Sequence, residues 1–331
     1  MGPPSNWQVQ DEMLSTGRST GGVHYVGDKT LMMVSGACVK LGSDAALGAP
    51  AIFLPCPSPH GIAVATANWR KKVLAFAEQG LKPSIYVHTF PDLNLWCKLD
   101  GGADLEICAL SFARNESWLM SLAAEPDLSL VVWDWQAGTQ LARTTALTTC
   151  SALAVSPVDA HHAAMVTKTV LTLWHMRKAY DAYELASTDV MPPENEGDDD
   201  DAVAAAAAAA GPMMSAGAGG RGDADDAPCF TAVAWAPDGS VYVSSNTAGL
   251  HCFDVPAGVE RAHRRAALPA PASALAMLKA HVLCACGPSV VWVELESGAA
   301  CLSVGLGSPA RSLCLSPASV AIVATCEDGE V

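Results

Sequence analysis

The sequence predicts an all-β fold, a seven-bladed β-propeller whose last blade is incomplete. Three observations predict it. An apolar triplet ending in an aromatic, followed by a polar residue and a turn, recurs along the chain in six copies, the first of them, around Val39, degenerate. The copies recur at a nearly constant interval once one insertion is set aside. A second family of alternating apolar runs, each closed by Pro or Asp-Gly, supplies the neighbouring strands.

The anchors are Val39 in ACVKLG, Tyr86 in IYVHTF, Trp133 in VVWDWQ, Trp174 in LTLWHM, Phe253 in LHCFDV and Trp292 in VVWVEL. Their intervals are 47, 47, 41, 79 and 39 residues, and removing the 42-residue insertion at 187–228 brings the long one to 37. A period near 40 built from short alternating strands matches a four-stranded WD40-like blade, which takes about 40 to 45 residues. The second set of runs is LSFARN from Leu110, LAVSP from Leu153, VAWAPDG from Val233 and LCLSP from Leu313. Period-2 geometry puts Leu153 with Val155, and Val233 with Trp235, on one face, so these read as inner strands offering apolar faces to neighbouring blades.

Read in order, a flexible N-terminal segment at 1–21 precedes a propeller at 22–331. Its blades are expected at about 22–58, 61–101, 105–147, 150–186, 229–266 and 272–306, with a partial seventh at 310–331. The last holds two strands' worth, ARSLCLSP and VAIVATCEDG, and the chain therefore reads as a fragment cut within a blade. Only residues 7–20 are spare for a closing strand, and they are polar. The edge left open would be Val320–Cys326, apolar and uncharged.

The insertion at 187–228 runs from PPENEGDDDDA through seven alanines, Ala204 to Ala210, into a Gly-rich stretch. With nothing to bury, it is expected to be a disordered acidic, Ala- and Gly-rich loop, dispensable for folding. Three apparent motifs lie in it. Gly217, Gly219 and Gly222 match GxGxxG but follow no strand. Arg221-Gly222-Asp223 is an adhesion-type tripeptide in a chain whose start lacks the basic and apolar stretches of a signal peptide. Asp198 to Asp201 lacks the Gly and Glu placement of a calcium loop.

Charge and composition narrow the function classes. With 19 basic against 34 acidic residues, a formal charge of −15, the chain lacks the cationic footprint of a nucleic-acid binder. No apolar run reaches the roughly 18 to 20 residues of a membrane span, and the start predicts an intracellular, cytoplasmic protein. The twelve cysteines are scattered with no CxxC; Cys108, Cys252 and Cys314 sit in apolar alternating runs, and Cys284 and Cys286 share one strand face, so buried free thiols are expected rather than disulfides or zinc. There is no GxSxG, HExxH or GxxxxGK[ST]; His161-His162 falls in a turn with no acidic partner at ligand spacing. No catalytic, cofactor-binding or metal-binding residue is assigned, and the expected role is non-enzymatic protein binding through the rims and side wall. Trp133-Asp134 is the single WD dipeptide; Trp174-His175, Trp292-Val293 and Phe253-Asp254 are diverged copies.

Residues 73–136, with the phrases FAEQGLKPSIYVHTFP, GGA and AEPDLSLVVWDW, resemble the large WD-repeat proteins of motile cilia. A weaker echo lies in LCLSPASVAIVATCEDGEV. The resemblance implies a structural protein of the cilium or flagellum axoneme, part of the cytoskeleton. It would belong to a tether linking inner-arm dynein heads to the doublet microtubule, needed for cilium assembly or beating. The partners so implied are a sister ciliary WD-repeat protein, an inner-arm dynein heavy chain and doublet-microtubule proteins. The alternative is a generic cytoplasmic WD-repeat scaffold.

Overall fold

Short β-branched and aliphatic runs punctuated by Gly, Pro, Asn and Asp satisfy their backbone groups most directly as antiparallel hairpins, and this chain repeats that solution throughout. The computed structural model describes residues 22–44, 51–167, 170–180, 182–191, 229–255, 263–318 and 321–327. The expected flexible segment at 1–21 and the bulk of the insertion, 192–228 with its three apparent motifs, lie outside the described residues.

Blade 1 holds β1 (His24–Tyr25), β2 (Thr30–Ser35), β3 (Cys38–Ser43) and β4 (Ile52–Pro55); blade 2 holds β5 (Ile62–Asn68), β6 (Val73–Glu78), β7 (Ile85–Thr89) and β8 (Leu95–Leu99). Blade 3 follows with β9 (Ile107–Phe112), β10 (Trp118–Ala123), β11 (Ser129–Asp134) and β12 (Thr139–Thr145), and blade 4 with β13 (Ala152–Val155), β14 (His162–Val166), β15 (Leu171–Ala179) and β16 (Ala182–Val190). Blade 5 is β17 (Phe230–Trp235), β18 (Val241–Ser245), β19 (Gly249–Phe253) and β20 (His263–Ala267), and blade 6 is β21 (Ala272–Leu278), β22 (His281–Cys286), β23 (Ser289–Glu294) and β24 (Ala300–Gly305). A two-stranded seventh sheet pairs β25 (Ala310–Leu315) with β26 (Ile322–Cys326).

Every pairing is between consecutive strands and antiparallel. First strands touch first strands around the ring, β5 against β9, β13 against β17, β21 against β25, and β25 returns to β1. That return makes the assembly a closed propeller of six full blades and a partial seventh sheet. At the junction a Cβ on Gly22 would come within 3.0 Å of the Ser312 side chain of β25, and Tyr25 donates to Asp44 Oδ2 at 3.2 Å. All six anchors fall on third strands, where a residue is buried on both faces.

The core lies between blades rather than inside one. Along β10 and β11, Leu119, Val131 and Trp133 pack against blade 2 with Val73, Ile85 and Val87, while Met120, Leu130 and Val132 pack against blade 4 with Met165 and Trp174. Successive side chains of one strand thus serve two different interfaces, which is why the middle strands are apolar without alternation. Among the described residues the fourth strands are each blade's outer edge and are mostly exposed or half-buried, polar in TQLARTT of β12 but apolar in IFLP of β4.

One boundary differs from the sequence expectation. β16 runs to Val190, four residues into the segment assigned to the insertion from 187 onward. It pairs in unbroken register with β15, Leu171 opposite Val190 and Ala179 opposite Ala182, and Thr172 Oγ1 donates to Asp189 Oδ1 at 2.7 Å. Ser187, Thr188 and Asp189 have loop-like composition, but the ladder continues because β15 offers nine residues of partner. Among the described residues no helix is long and apolar enough to cross a membrane.

Candidate interaction surface

The strand order gives two rims. Turns between first and second, and third and fourth, strands form a hairpin rim; second-to-third turns and the blade-to-blade connections form a crossover rim. Binding residues of a propeller sit on such loops, held by the rigid ring.

At blades 2 and 3 the crossover rim is a cross-linked platform. Ser84 Oγ donates to Asp100 Oδ1 at 2.6 Å, and the Ser84 amide donates to Glu78 Oε1 at 3.0 Å. The Lys82 amide donates to the Asp104 carbonyl at 2.9 Å, and the Asp104 amide in turn donates to Asp127 Oδ2 at 2.8 Å. Arg143 of β12 closes the set, donating to Ser129 Oγ at 2.7 Å and to the Gly101 carbonyl at 3.0 Å. Beneath it Trp133 Nε1 donates to Ser121 Oγ at 2.9 Å, and Gly102 lies so close that a Cβ there would meet Trp133 Cζ2 at 2.9 Å. The phrases that carry the ciliary resemblance, GLKPS, GGA and AEPDLS, supply these turns. Leu81 (79% exposed) and Leu147 (81%) stand on connections of this rim, which also carries exposed Asp104, Glu106 and Glu125.

Burial works against the ionised Asp127 carboxyl, but the bonds from Ser129 and from the Asp104 amide, with the Arg143 guanidinium, outweigh it and hold its pKa below the usual carboxylate value. Asp100 is held low chiefly by the Ser84 hydroxyl. Asp127→Ala is expected to cost about 1 kcal/mol, the net worth of hydrogen bonds whose partners stay accessible to water. Chemical denaturation against wild type measures it.

The hairpin rim of the same blades has the opposite sign. Asn68, at the end of β5, accepts from the amides of Arg70 and Lys71 at 3.1 Å and donates across to the carbonyls of Ala113 (2.9 Å) and Arg114 (3.1 Å). This one amide fixes the 69–72 turn against the 113–117 turn. Arg70, Lys71, Lys72 and Arg114 are all exposed. Sequence reading passed over this cluster, although Arg70-Lys71-Lys72 is the only run of three consecutive basic residues in the chain. What the sequence did not show is that Arg114, more than 40 residues on, joins it.

The two neighbouring histidines are also corrected. Asp159 accepts from or bonds both rings, Oδ1 to His161 Nδ1 and Oδ2 to His162 Nδ1, each at 3.0 Å, and His162 stacks on His175 at 4.5 Å between ring centroids. The turn into β14 brings the carboxylate under both imidazoles, so an acidic partner is present. Among the described residues no group of three or more His, Cys, Asp or Glu side chains is arranged to hold a metal ion. The described cysteines are all free thiols.

No protein-family model matches the chain. Its fold is similar to that of a chain in the crystal structure of a mitotic checkpoint complex, with a TM-score of 0.70, 11% identity, and 100% of this chain and 96% of that one covered. At that identity the likeness shows the fold alone, a WD40-type propeller. In sequence the chain is 31% identical over 146 residues to cilia- and flagella-associated protein 43 of Xenopus laevis, and 25% identical over 167 residues to that of Mus musculus. These matches take in 44% and 47% of this chain and 9% of each relative, so the chain corresponds to a small part of their length. Cilia- and flagella-associated protein 44 of Mus musculus is 28% identical over 95 residues, 29% of this chain and 5% of the relative. The chain is a β-propeller with partial homology to cilia- and flagella-associated proteins 43 and 44.

Proposed function

We propose that the chain is a non-enzymatic scaffold of the motile cilium axoneme. It serves in a tether that links inner-arm dynein heads to the doublet microtubule, and it works beside a sister ciliary WD-repeat protein. The partial homology to two cilia- and flagella-associated proteins carries the reading. The crossover rim of blades 2 and 3 suits it: a platform whose turns are tied together by hydrogen bonds presents exposed leucines on a rim that also carries carboxylates, an arrangement of apolar side chains in a polar surround found in protein interfaces.

The test is fractionation of cilia from cells carrying a tagged copy of the protein. The protein is expected to stay with the axoneme after detergent and after high salt, and to be lost from it in the double variant Leu81→Glu/Leu147→Glu. Hot-spot residues each cost more than about 1 kcal/mol when removed, so retention should fall at least about fivefold. Both side chains are exposed, so the melting temperature should not move. A wholly soluble protein would overturn the ciliary reading, and undiminished retention of the variant would move the interface elsewhere.

A further inference from the structure

We propose that the hairpin-rim mouth between blades 2, 3 and 4 binds an acidic peptide segment of another protein, seating its carboxylates on Arg70 and Arg114. A cleft of about 230 Å3 opens there, walled by Trp69, Phe112, Val155 and Pro157, with Asn68 at its base and Arg114 on its flank. Small-molecule pockets run from about 300 to 1,000 Å3, so this cleft is sized for an anchoring side chain of a peptide rather than for a cofactor.

The charges around it are unbalanced. Among the described residues the ion pairs of lysine and arginine are Lys98 with Asp100 and Arg143 with Asp127, both away from this mouth; Arg70, Lys71, Lys72 and Arg114 have no carboxylate within 4.0 Å. The Arg70 guanidinium lies 5.3 Å from the Trp69 ring centroid and donates to Asn115 Oδ1 at 3.3 Å, which leaves most of its donors unused. Burial and the like charge of Arg70 together push the Arg114 pKa down, so the two guanidiniums repel one another beside the cleft. An arriving carboxylate relieves that opposition and is met by the fork geometry that pairs arginine with carboxylates.

A long polyanion fits poorly. Four cations are too few for the counterion release that drives nucleic-acid binding, and Glu116 on the Arg114 turn, Asp159 beside Pro157, and Asp92 and Asp238 on other hairpin-rim turns would repel an extended polyanion. A short stretch with two or three carboxylates can be met by Arg70 and Arg114 without reaching those acidic side chains. The chain's own acidic tract leaves from Val190 at the end of β16 and rejoins at Phe230, both on the crossover rim, which favours a separate chain as the occupant.

The test is fluorescence anisotropy of a dye-labelled serine peptide carrying three consecutive glutamates, with the all-serine peptide as the neutral control, at low and at physiological salt. Saturable binding of the glutamate peptide alone is expected, weakened at least tenfold by Arg114→Glu and by Arg70→Glu, weakened less by Arg114→Gln, and unaffected by Lys178→Glu on β15. Circular dichroism establishes that each variant is folded; both arginines are exposed, and the Gln variant removes charge without reversing it. Absence of binding, or equal weakening by Lys178→Glu, overturns the site. Tighter binding of an oligonucleotide of equal charge, with the same arginine dependence, overturns the peptide assignment. Binding that emerges only when residues 192–228 are deleted overturns the separate occupant in favour of the chain's own tract.

Discussion

Taking the propeller from pH 7 to pH 4 is expected to lower its unfolding free energy by about 3 kcal/mol through His24 alone, at roughly 1.4 kcal/mol per pKa unit. Burial lowers the His24 pKa from 6.5 to about 4, with a hydrogen bond to the Ala65 backbone opposing only part of that shift. Between those values the unfolded chain binds a proton that the folded one refuses. Stability is therefore fully present above pH 6.5, declines as the pH falls towards 4, and loses nothing further to this residue once both states are protonated. Below that range Asp100, Asp127 and Asp159, all held below the usual carboxylate pKa, add a second loss as they protonate. His24 lies on β1, where β25 and β5 meet, so the weakened joint is the closure of the ring. Urea titrations at a series of pH values measure the slope, and His24→Gln should flatten it between pH 4 and 6.5. A wild-type profile already flat there would mean that His24 protonates freely in the folded ring.

Trp133→Ala is expected to cost about 3–5 kcal/mol, the range for truncating a large buried aromatic side chain. Trp133 is 3% exposed and packs into the interface between blades 2 and 3 with Val87, Leu119 and Val131. Its loss leaves Ser121 Oγ without its indole donor and opens a void beneath Gly102. Because the crossover platform stands on that contact, the rim should loosen as well as the core. Trp96→Ala is the comparison: that side chain is 52% exposed on β8, and its removal should move the denaturation midpoint only slightly. Equal losses in the two variants would contradict the packing described.

The parts of this fold legible in the sequence are those set by neighbours in the chain. Trp133, Trp174, Phe253 and Trp292 mark third strands because a third strand is buried on both sides and its turn follows at once. Leu153 with Val155 and Val233 with Trp235 are legible because period-2 geometry puts each pair on one face, the first packing towards blade 3 and the second towards blade 4. The functional surface is legible only where one segment builds it, as at GLKPS and AEPDLS. The meeting of Arg114 with Arg70 depends on the angle between two blades, which no local pattern encodes. The end of β16 failed for the opposite reason: Ser187, Thr188 and Asp189 have loop composition, and only the length of β15 draws them into the sheet. Asp159 escaped notice as a partner of His161 and His162 because the spacing sought was that of metal ligands, while the turn uses the carboxylate as a cap.

The free thiols are distributed through the ring as a set of internal clocks. Cys284 and Cys286 lie in the contact between blades 5 and 6 together with Cys252, Cys108 lies between blades 3 and 4, Cys97 in blade 2, Cys314 and Cys326 in the two-stranded sheet, and Cys301 is exposed. A thiol enclosed by its neighbours reacts with an alkylating reagent only while its surroundings are open, so its rate reports the local opening free energy. Native alkylation followed by peptide mapping would rank the sectors in order of opening, with Cys301 as the immediate reference. Cys314 should respond early to acid, since it packs with Tyr25 beside His24 at the point where the ring closes.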